Sequence, residues 1–375
     1  LKVIFITQGV DSSHPVIGFI TSWIKELAKK VEYVHVLALK KGNLCDLPIN
    51  ISIYSFKRKN KLLSFLAFNK ILFKIIKSEN SIEVIFSHMC PIYAILAYPY
   101  AKLYRIRQVL WYAHRKVGFL LKIATLLVDV ITTSSKESFR INSKKVKILS
   151  QGIDVSKIEK VDIKNLWHFK VKRILSVGRI TPIKDYKTLI KAAAIINSKN
   201  CLFQIIGKPV TKRDYEYLKE LKDMIEDYNL RERVEIIEGV SYNEIFRFYR
   251  DSFLLVNLCP QGAPDKAVFE AMASCLLILV CNKVFEEMLK GVVSYDFLFK
   301  EKDPQDLAKK IKYLLSLKED ISILNRRNLR DFAIKNHSIE GLMSNLIGLL
   351  FLQKINLEKD MILYYNILRR SKSEK

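Results

Sequence analysis

Short apolar runs alternate with segments of helical period along nearly the whole chain, and that alternation decides the fold class. Val3–Thr7 reads as a strand, Gln8–Pro15 as a polar loop containing Gly9, and the segment from Val16 to Lys30 as a helix with Ile17, Ile20, Ile24 and Leu27 on one face. A second strand over Tyr33–Leu39 completes a βαβ unit, which builds parallel sheets covered by helices. Strands recur near Val84–Phe86, Gln108–Tyr112, Asp129–Thr133 and Val146–Leu149, with helical stretches expected around 91–103, 116–126 and 135–142. The pattern then restarts after a linker over Gln151–Lys170. Arg173–Val177, Phe203–Ile206, Val234–Ile237, Phe253–Val256 and Leu276–Val280 read as strands, and helices are expected around 212–228 and 241–249.

The expected architecture is therefore α/β with two Rossmann-like, doubly wound domains, over residues 1–155 and 170–335. Residues 336–375 hold one or two long helices, with Leu342, Leu346, Leu349, Leu350, Ile355, Ile362 and Leu363 on apolar faces, ending in a solvated tail. A chain of 375 residues, half of them hydrophobic, can bury two such cores. No apolar run reaches the roughly 18 residues needed to span a bilayer. The opening LKVIFITQGV reads as a strand rather than a signal peptide, so a cytoplasmic location is expected. The six cysteines include no CxxC pair, so neither a disulfide framework nor a structural metal is expected. A GxGxxG is also missing, which removes the main support for a dehydrogenase.

The net charge of +25 is uneven. Residues 1–170 hold 28 Lys and Arg against 11 Asp and Glu. Nucleic acid, an anionic membrane surface and an anionic substrate would each be drawn to such a field, and lysine-rich solvated faces would produce the same count. Nucleic-acid binding has only charge behind it, because the bases form no recognised motif with interleaved aromatics. Residues 57–77 are more informative: Leu62, Phe65, Leu66, Phe68, Ile71, Leu72, Ile75 and Ile76 make a wide apolar helical face edged by lysines. Such a helix either packs on the sheet with its lysines in water or lies against anionic lipid, and both hold if part of the face stays exposed.

Two stretches of the second half are candidates for chemistry. After Arg173–Val177, Gly178 allows a sharp turn, and Arg179 and Lys184 stand near the start of a helix. Two cations at a helix N-terminus suit a diphosphate. After Phe253–Val256 a loop holding Pro260, Gly262 and Pro264 leads into a helix carrying Glu270 among packing residues. A carboxylate so placed must be paired, solvated or bound to hydroxyls.

The runs VGRITPIKDYKTLIKAA, GVSYNEIFRFYRDSFLLVNL and FEAMAS, in that order, resemble the donor half of family 4 retaining glycosyltransferases of the GT-B fold. ITQGVDSSHPVIGF, WYAH and ILSQGID resemble the acceptor half, so the likeness covers nearly the whole chain. It implies two domains facing a cleft and a last helix crossing back to the first domain. It also implies metal-independent transfer of a hexose from a nucleoside diphosphate sugar (UDP-, GDP- or ADP-linked) to a glycan or lipid-linked hydroxyl, with retention and with no separate cofactor. Arg179 and Lys184 would stabilise the leaving diphosphate beside Gly178. Glu270 would bind the donor ribose and His114 would lie near the reacting sugar, with His88 as runner-up. Gly9 and Gly18 would flank the loop approaching the diphosphate and acceptor. The pattern departs at Gly262, where the family has a second glutamate eight positions before the first; either the loop's backbone N–H groups with Asp265 or Lys266 take over sugar recognition, or the sugar site is altered or impaired. A sugar-nucleotide epimerase on the same fold and a catalytically weak, membrane-associated scaffold are the alternative readings.

Overall fold

A computed structural model of the chain describes residues 1–14, 17–44, 47–79, 81–158 and 170–350. The first half runs β1 (Lys2–Val10), α1 (Phe19–Ala28), β2 (Tyr33–Lys41), β3 (Ile51–Ser55), α2 (Lys61–Ser78), β4 (Ile82–His88), α3 (Pro91–Leu103), β5 (Arg107–Trp111), α4 (Phe119–Leu127), β6 (Val130–Thr133) and β7 (Val146–Ile148). The second half runs β8 (Lys172–Val177), α5 (Tyr186–Ile196), β9 (Cys201–Gly207), α6 (Lys212–Asp227), β10 (Val234–Glu238), α7 (Ile245–Arg250), β11 (Leu254–Asn257), α8 (Lys266–Ala273), β12 (Leu277–Val280), α9 (Val284–Met288), α10 (Pro304–Leu315) and α11 (Glu319–His337). A further helix occupies 339–350.

The strands form two parallel sheets, ordered β3-β2-β1-β4-β5-β6-β7 and β10-β9-β8-β11-β12. In each sheet the order reverses direction once, between β1 and β4 and between β8 and β11. Ligands of open α/β sheets bind outside the carboxyl ends of the strands at that switch point. Strands covered on both faces by helices must be apolar throughout, as the fully buried Leu254–Val256 and Leu277–Val280 are.

Three local expectations are corrected. β1 continues through Val10, so Gly9 is a strand residue paired with Lys40 rather than part of a loop. The strand Ile51–Ser55 is an additional edge strand on β2. Residues 135–142 are not helical. There Ser135 Oγ accepts from the Ser138 amide at 3.2 Å, and the Ser138 hydroxyl lies 3.0 and 2.9 Å from those of Ser134 and Ser135, so serine side chains compete with helical bonding.

The 339–350 helix returns to the first sheet. Ile339, Leu342, Met343, Leu346 and Leu350 are buried with Val3, Trp23 and Val36, and Arg107 donates to the Leu350 carbonyl at 3.1 Å. The crossover is stitched by Ile153, whose amide donates to the His337 carbonyl and whose carbonyl accepts from Ile339, both at 2.8 Å. Residues 351–375, including the expected apolar positions Ile355, Ile362 and Leu363, lie outside the described residues.

Helix α2 divides along its length. Phe68, Leu72, Ile75 and Ile76 are buried on the sheet, while Leu62, Leu63, Phe65 and Leu66 are between 44% and 66% exposed. No described helix is long and apolar enough to cross a membrane.

Candidate functional site

The switch point of the second sheet opens into a cavity of about 390 Å³ lined by Gly178, Arg179, Lys184, Lys208, Tyr242, Lys266 and Glu270, with Phe19 reaching in from the first domain. Gly178 has φ +154°, and a Cβ there would sit 2.8 Å from Lys184 Cε and 2.9 Å from Lys184 Nζ. Only glycine lets the lysine lie against the end of β8 in this way.

Lys184 is only 17% exposed. It forms an ion pair with Asp265 and donates to Cys259 Sγ at 2.9 Å. Asp265 also accepts from Asn257 at 2.9 Å and from the Cys259 thiol at 3.0 Å. Burial acts against both charges, yet their mutual attraction prevails: the ammonium titrates above its ordinary value and the carboxyl is held down at about 2. Asp265 is thus occupied with Lys184 and with capping α8, whose Ala267 amide it accepts. Arg179 is exposed and Lys208 likewise, and among the described residues neither is in an ion pair.

Glu270 is 5% exposed. The Tyr242 hydroxyl donates to its Oε1 at 3.0 Å, the Tyr249 hydroxyl to its Oε2 at 3.2 Å, and Lys266 Nζ lies 3.6 Å from Oε1. Burial raises its pKa, while Lys266 and the two hydroxyls act to lower it. A carboxylate has about four lone-pair sites, so each oxygen keeps acceptor capacity for a ligand hydroxyl. Tyr242 and Tyr249 carry no role in the sequence reading; their spacing of seven, two helical turns, is the signal that could have placed them beside one carboxylate. Lys266 spans the domains: its ammonium is 4.1 Å from the Phe19 ring centroid and 5.1 Å from that of Tyr242. Burial lowers its pKa, with Glu270 opposing.

The residues expected from the first domain separate. His114 is exposed at the carboxyl end of β5, its Nδ1 accepting from the Lys116 amide at 3.0 Å. Loss of hydration, then the charges of Arg115, Lys116 and Arg179, depress its pKa. His88 is 3% exposed, packed on Phe5, Phe19 and Trp23 at 5.2 to 5.9 Å, and burial with the Lys266 charge takes its pKa to about 3, so it is a neutral core ring. Gly9 lies at the carboxyl end of β1, and Gly18 at the start of α1 is against Tyr242 of the second domain.

Gly262, with φ +135°, sits in a loop fixed from beneath by Asn282, which donates to its carbonyl at 3.1 Å. It does not line the cavity. A Cβ built on it points across the interdomain cleft, 3.5 Å from Arg115 Cδ and 4.0 Å from Arg140 Nη2. Arg140 has no part in the sequence reading, and no local signal marks it. Among the described residues, no three His, Cys, Asp or Glu side chains are grouped to hold a metal ion.

Two parallel sheets meeting at their switch points, with a cation-lined cavity on one and the last helix crossing to the other, define the GT-B architecture. Solved structures of that fold resemble it over most of their length. Sucrose-phosphate synthase from Thermosynechococcus elongatus gives a TM-score of 0.74 at 14% identity, covering 95% of this chain and all of that one. Anabaena Alr3699/HepE in complex with UDP-glucose gives 0.72 at 15% identity, covering 93% and 99%. WaaG, a glycosyltransferase involved in lipopolysaccharide biosynthesis, gives 0.64 at 13% identity, also covering 93% and 99%.

Residues 157–335 match the family Glycosyl transferases group 1, a stretch that takes in the whole second sheet. The O-antigen chain mannosyltransferase RfbU of Salmonella typhimurium is 25% identical over 205 residues, which cover 52% of this chain and 54% of that protein; the match spans about half the length of that relative.

Proposed function

We propose that the protein is a retaining glycosyltransferase that moves a hexose from a nucleoside diphosphate sugar to a hydroxyl of a glycan or lipid-linked acceptor. The observation that carries this reading is the cavity at the switch point of the second sheet, where a buried carboxylate and exposed cations converge. Glu270 takes the ribose hydroxyls through its free lone pairs. Arg179 and Lys208 meet the diphosphate, and Lys184 reaches the same cavity with its charge balanced by Asp265. As the glycosidic bond breaks, charge builds on the leaving phosphate, and fixed cations in a partly desolvated cleft stabilise it without reorganising. Arg179 can do so with two parallel N–H bonds. His114 stands across the cleft on the acceptor side and, depressed in pKa with its Nδ1 accepting from the Lys116 amide, is a neutral ring whose Nε2–H can donate into the cleft. HepE, solved with UDP and with UDP-glucose, supports a nucleotide-sugar ligand for this fold, and RfbU, named a mannosyltransferase, supports a hexose.

On the acceptor side, an open cavity of about 630 Å³ has Leu39, Phe56, Phe65 and Ile92 as its apolar lining and Lys57, Arg58, Lys59 and Lys61 in its wall. With the exposed half of α2, this favours a peripheral position on an anionic membrane surface bearing a lipid-linked acceptor.

A thermal-shift screen of UDP, GDP and ADP against the natural protein and Glu270→Gln tests the donor site. One nucleotide at 100 times its dissociation constant stabilises the natural protein by about 2.7 kcal/mol, and the variant loses most of that shift. Absence of stabilisation by all three overturns the reading.

A further inference from the structure

Gly262 faces two arginines from the other domain. Arg115 stands in the loop after β5 and Arg140 in the loop after β6, both at the carboxyl end of the first sheet. The two loops are joined by the His114 amide, which donates to the Ser138 carbonyl at 3.0 Å. Arg115 is anchored across the cleft by Nη1, which donates to the Gln261 carbonyl at 3.2 Å. That uses one of its five N–H donors. Asp265 is held by Lys184, and Glu270 by Tyr242, Tyr249 and Lys266. Among the described residues neither Arg115 nor Arg140 is in an ion pair, and the side-chain space at Gly262 lies 3.9 Å from Arg115 Nη1 and 4.0 Å from Arg140 Nη2.

We propose that the space bounded by Gly262, Arg115 and Arg140 is a binding site for an anionic group, a carboxylate or a phosphate, carried by the sugar being transferred or by the acceptor. Two guanidinium groups converging on one position repel each other until an anion sits between them, and their planar N–H forks fit both a carboxylate and a phosphate. The floor is rigid: Gln261 donates to the Cys281 carbonyl at 2.6 Å and accepts from the Lys283 amide at 2.8 Å, and Asn282 holds Gly262. A side chain at 262 would reach into the gap between the arginines, and glycine leaves that volume to the ligand. The identity of the carrier rests on the function proposed above; the anion site rests on the arginines alone.

Calorimetric titration of the full chain tests it in two arms. One compares UDP-glucuronate with UDP-glucose and the other compares glucose 6-phosphate with glucose, each on the natural protein and on Arg115→Gln/Arg140→Gln. The expected result is that the acidic member of at least one pair binds at least tenfold tighter, that the double variant loses this preference, and that its affinity for UDP is unchanged. The arm showing the preference tells whether the anion belongs to the donor or the acceptor. Equal binding in both arms overturns the proposal, and so does a preference that survives in the double variant. An acidic preference in the second arm without nucleotide binding keeps this site and overturns the donor reading. Nucleotide binding without any acidic preference does the reverse.

Discussion

Replacing Asp265 by Asn keeps the helix cap through Oδ1 and the shape of the loop, while its amide replaces the Oδ2 that accepts from Asn257, Cys259 and Lys184. What it removes is the counter-charge of Lys184, whose side chain is only 17% exposed. An aspartate held at about 2 instead of near 3.8 contributes about 2.5 kcal/mol of stability at neutral pH, at roughly 1.4 kcal/mol per pKa unit. Stranding the buried ammonium adds to the loss, so Asp265→Asn should cost about 3 kcal/mol in guanidinium unfolding at pH 7. The sign with pH follows from the lowered carboxyl. The unfolded chain takes up its proton near 3.8 and the folded protein only near 2, so the contribution is complete above about pH 5 and disappears by about pH 1. The gap between natural protein and variant must close across that window. Adding Lys184→Met to the variant should restore most of the lost stability, since it removes the stranded charge. A cost under about 0.5 kcal/mol, or a gap that persists at about pH 1, would refute the assignment of Lys184 and Asp265 as a stabilising pair.

Two further outcomes follow from buried and exposed groups of the first domain. His88, neutral in the core with a pKa of about 3, gives the folded state fewer protons than the unfolded chain below pH 6.5, so it lowers stability by about 1.4 kcal/mol per pH unit of acidification down to about 3; His88→Phe should flatten that slope, and a ring that titrates near 6.5 by NMR would contradict it. The exposed half of α2 should carry the protein to anionic vesicles in flotation, and Leu62→Ser/Phe65→Ser/Leu66→Ser should release it while leaving the melting temperature within a few degrees; a variant that still floats with them moves the contact elsewhere.

The fold was legible because fully covered parallel strands are apolar at every position, so Leu254–Val256 and Leu277–Val280 announce themselves without alternation. Ile51–Ser55 did not, because an edge strand whose residues are all half-buried mixes Ile with Ser and carries no clear period. The helix expected over 135–142 failed for a reason periodicity does not register: its serines satisfy backbone and side-chain groups locally. In the site, Glu270, Arg179 and Lys184 stood out through residue type beside an element end. Their partners were harder. Lys184 and Asp265 are 81 positions apart, and nothing local marks a lysine as already neutralised. Tyr242 and Tyr249 could have been found from their spacing of seven; Arg140 only from the folding of the β6 loop against the second domain.

Lys266 joins what the sequence left as two separate questions, how the donor is held and how the domains meet. Its ammonium touches Glu270 on one side and the ring of Phe19, at the start of α1, on the other. Phe19 in turn packs on Tyr242 with ring centroids 6.4 Å apart, and Tyr242 donates to Glu270. The carboxylate proposed to receive the ribose therefore holds, directly or through one residue, the side chains that bring the first domain against the second. On that reading a ribose hydroxyl reaching Glu270 takes the lone pairs left beside Lys266 and Tyr242, the two side chains that also hold Phe19. Donor affinity and the relative position of the domains then share one free energy, and coupling of this kind acts equally in both directions.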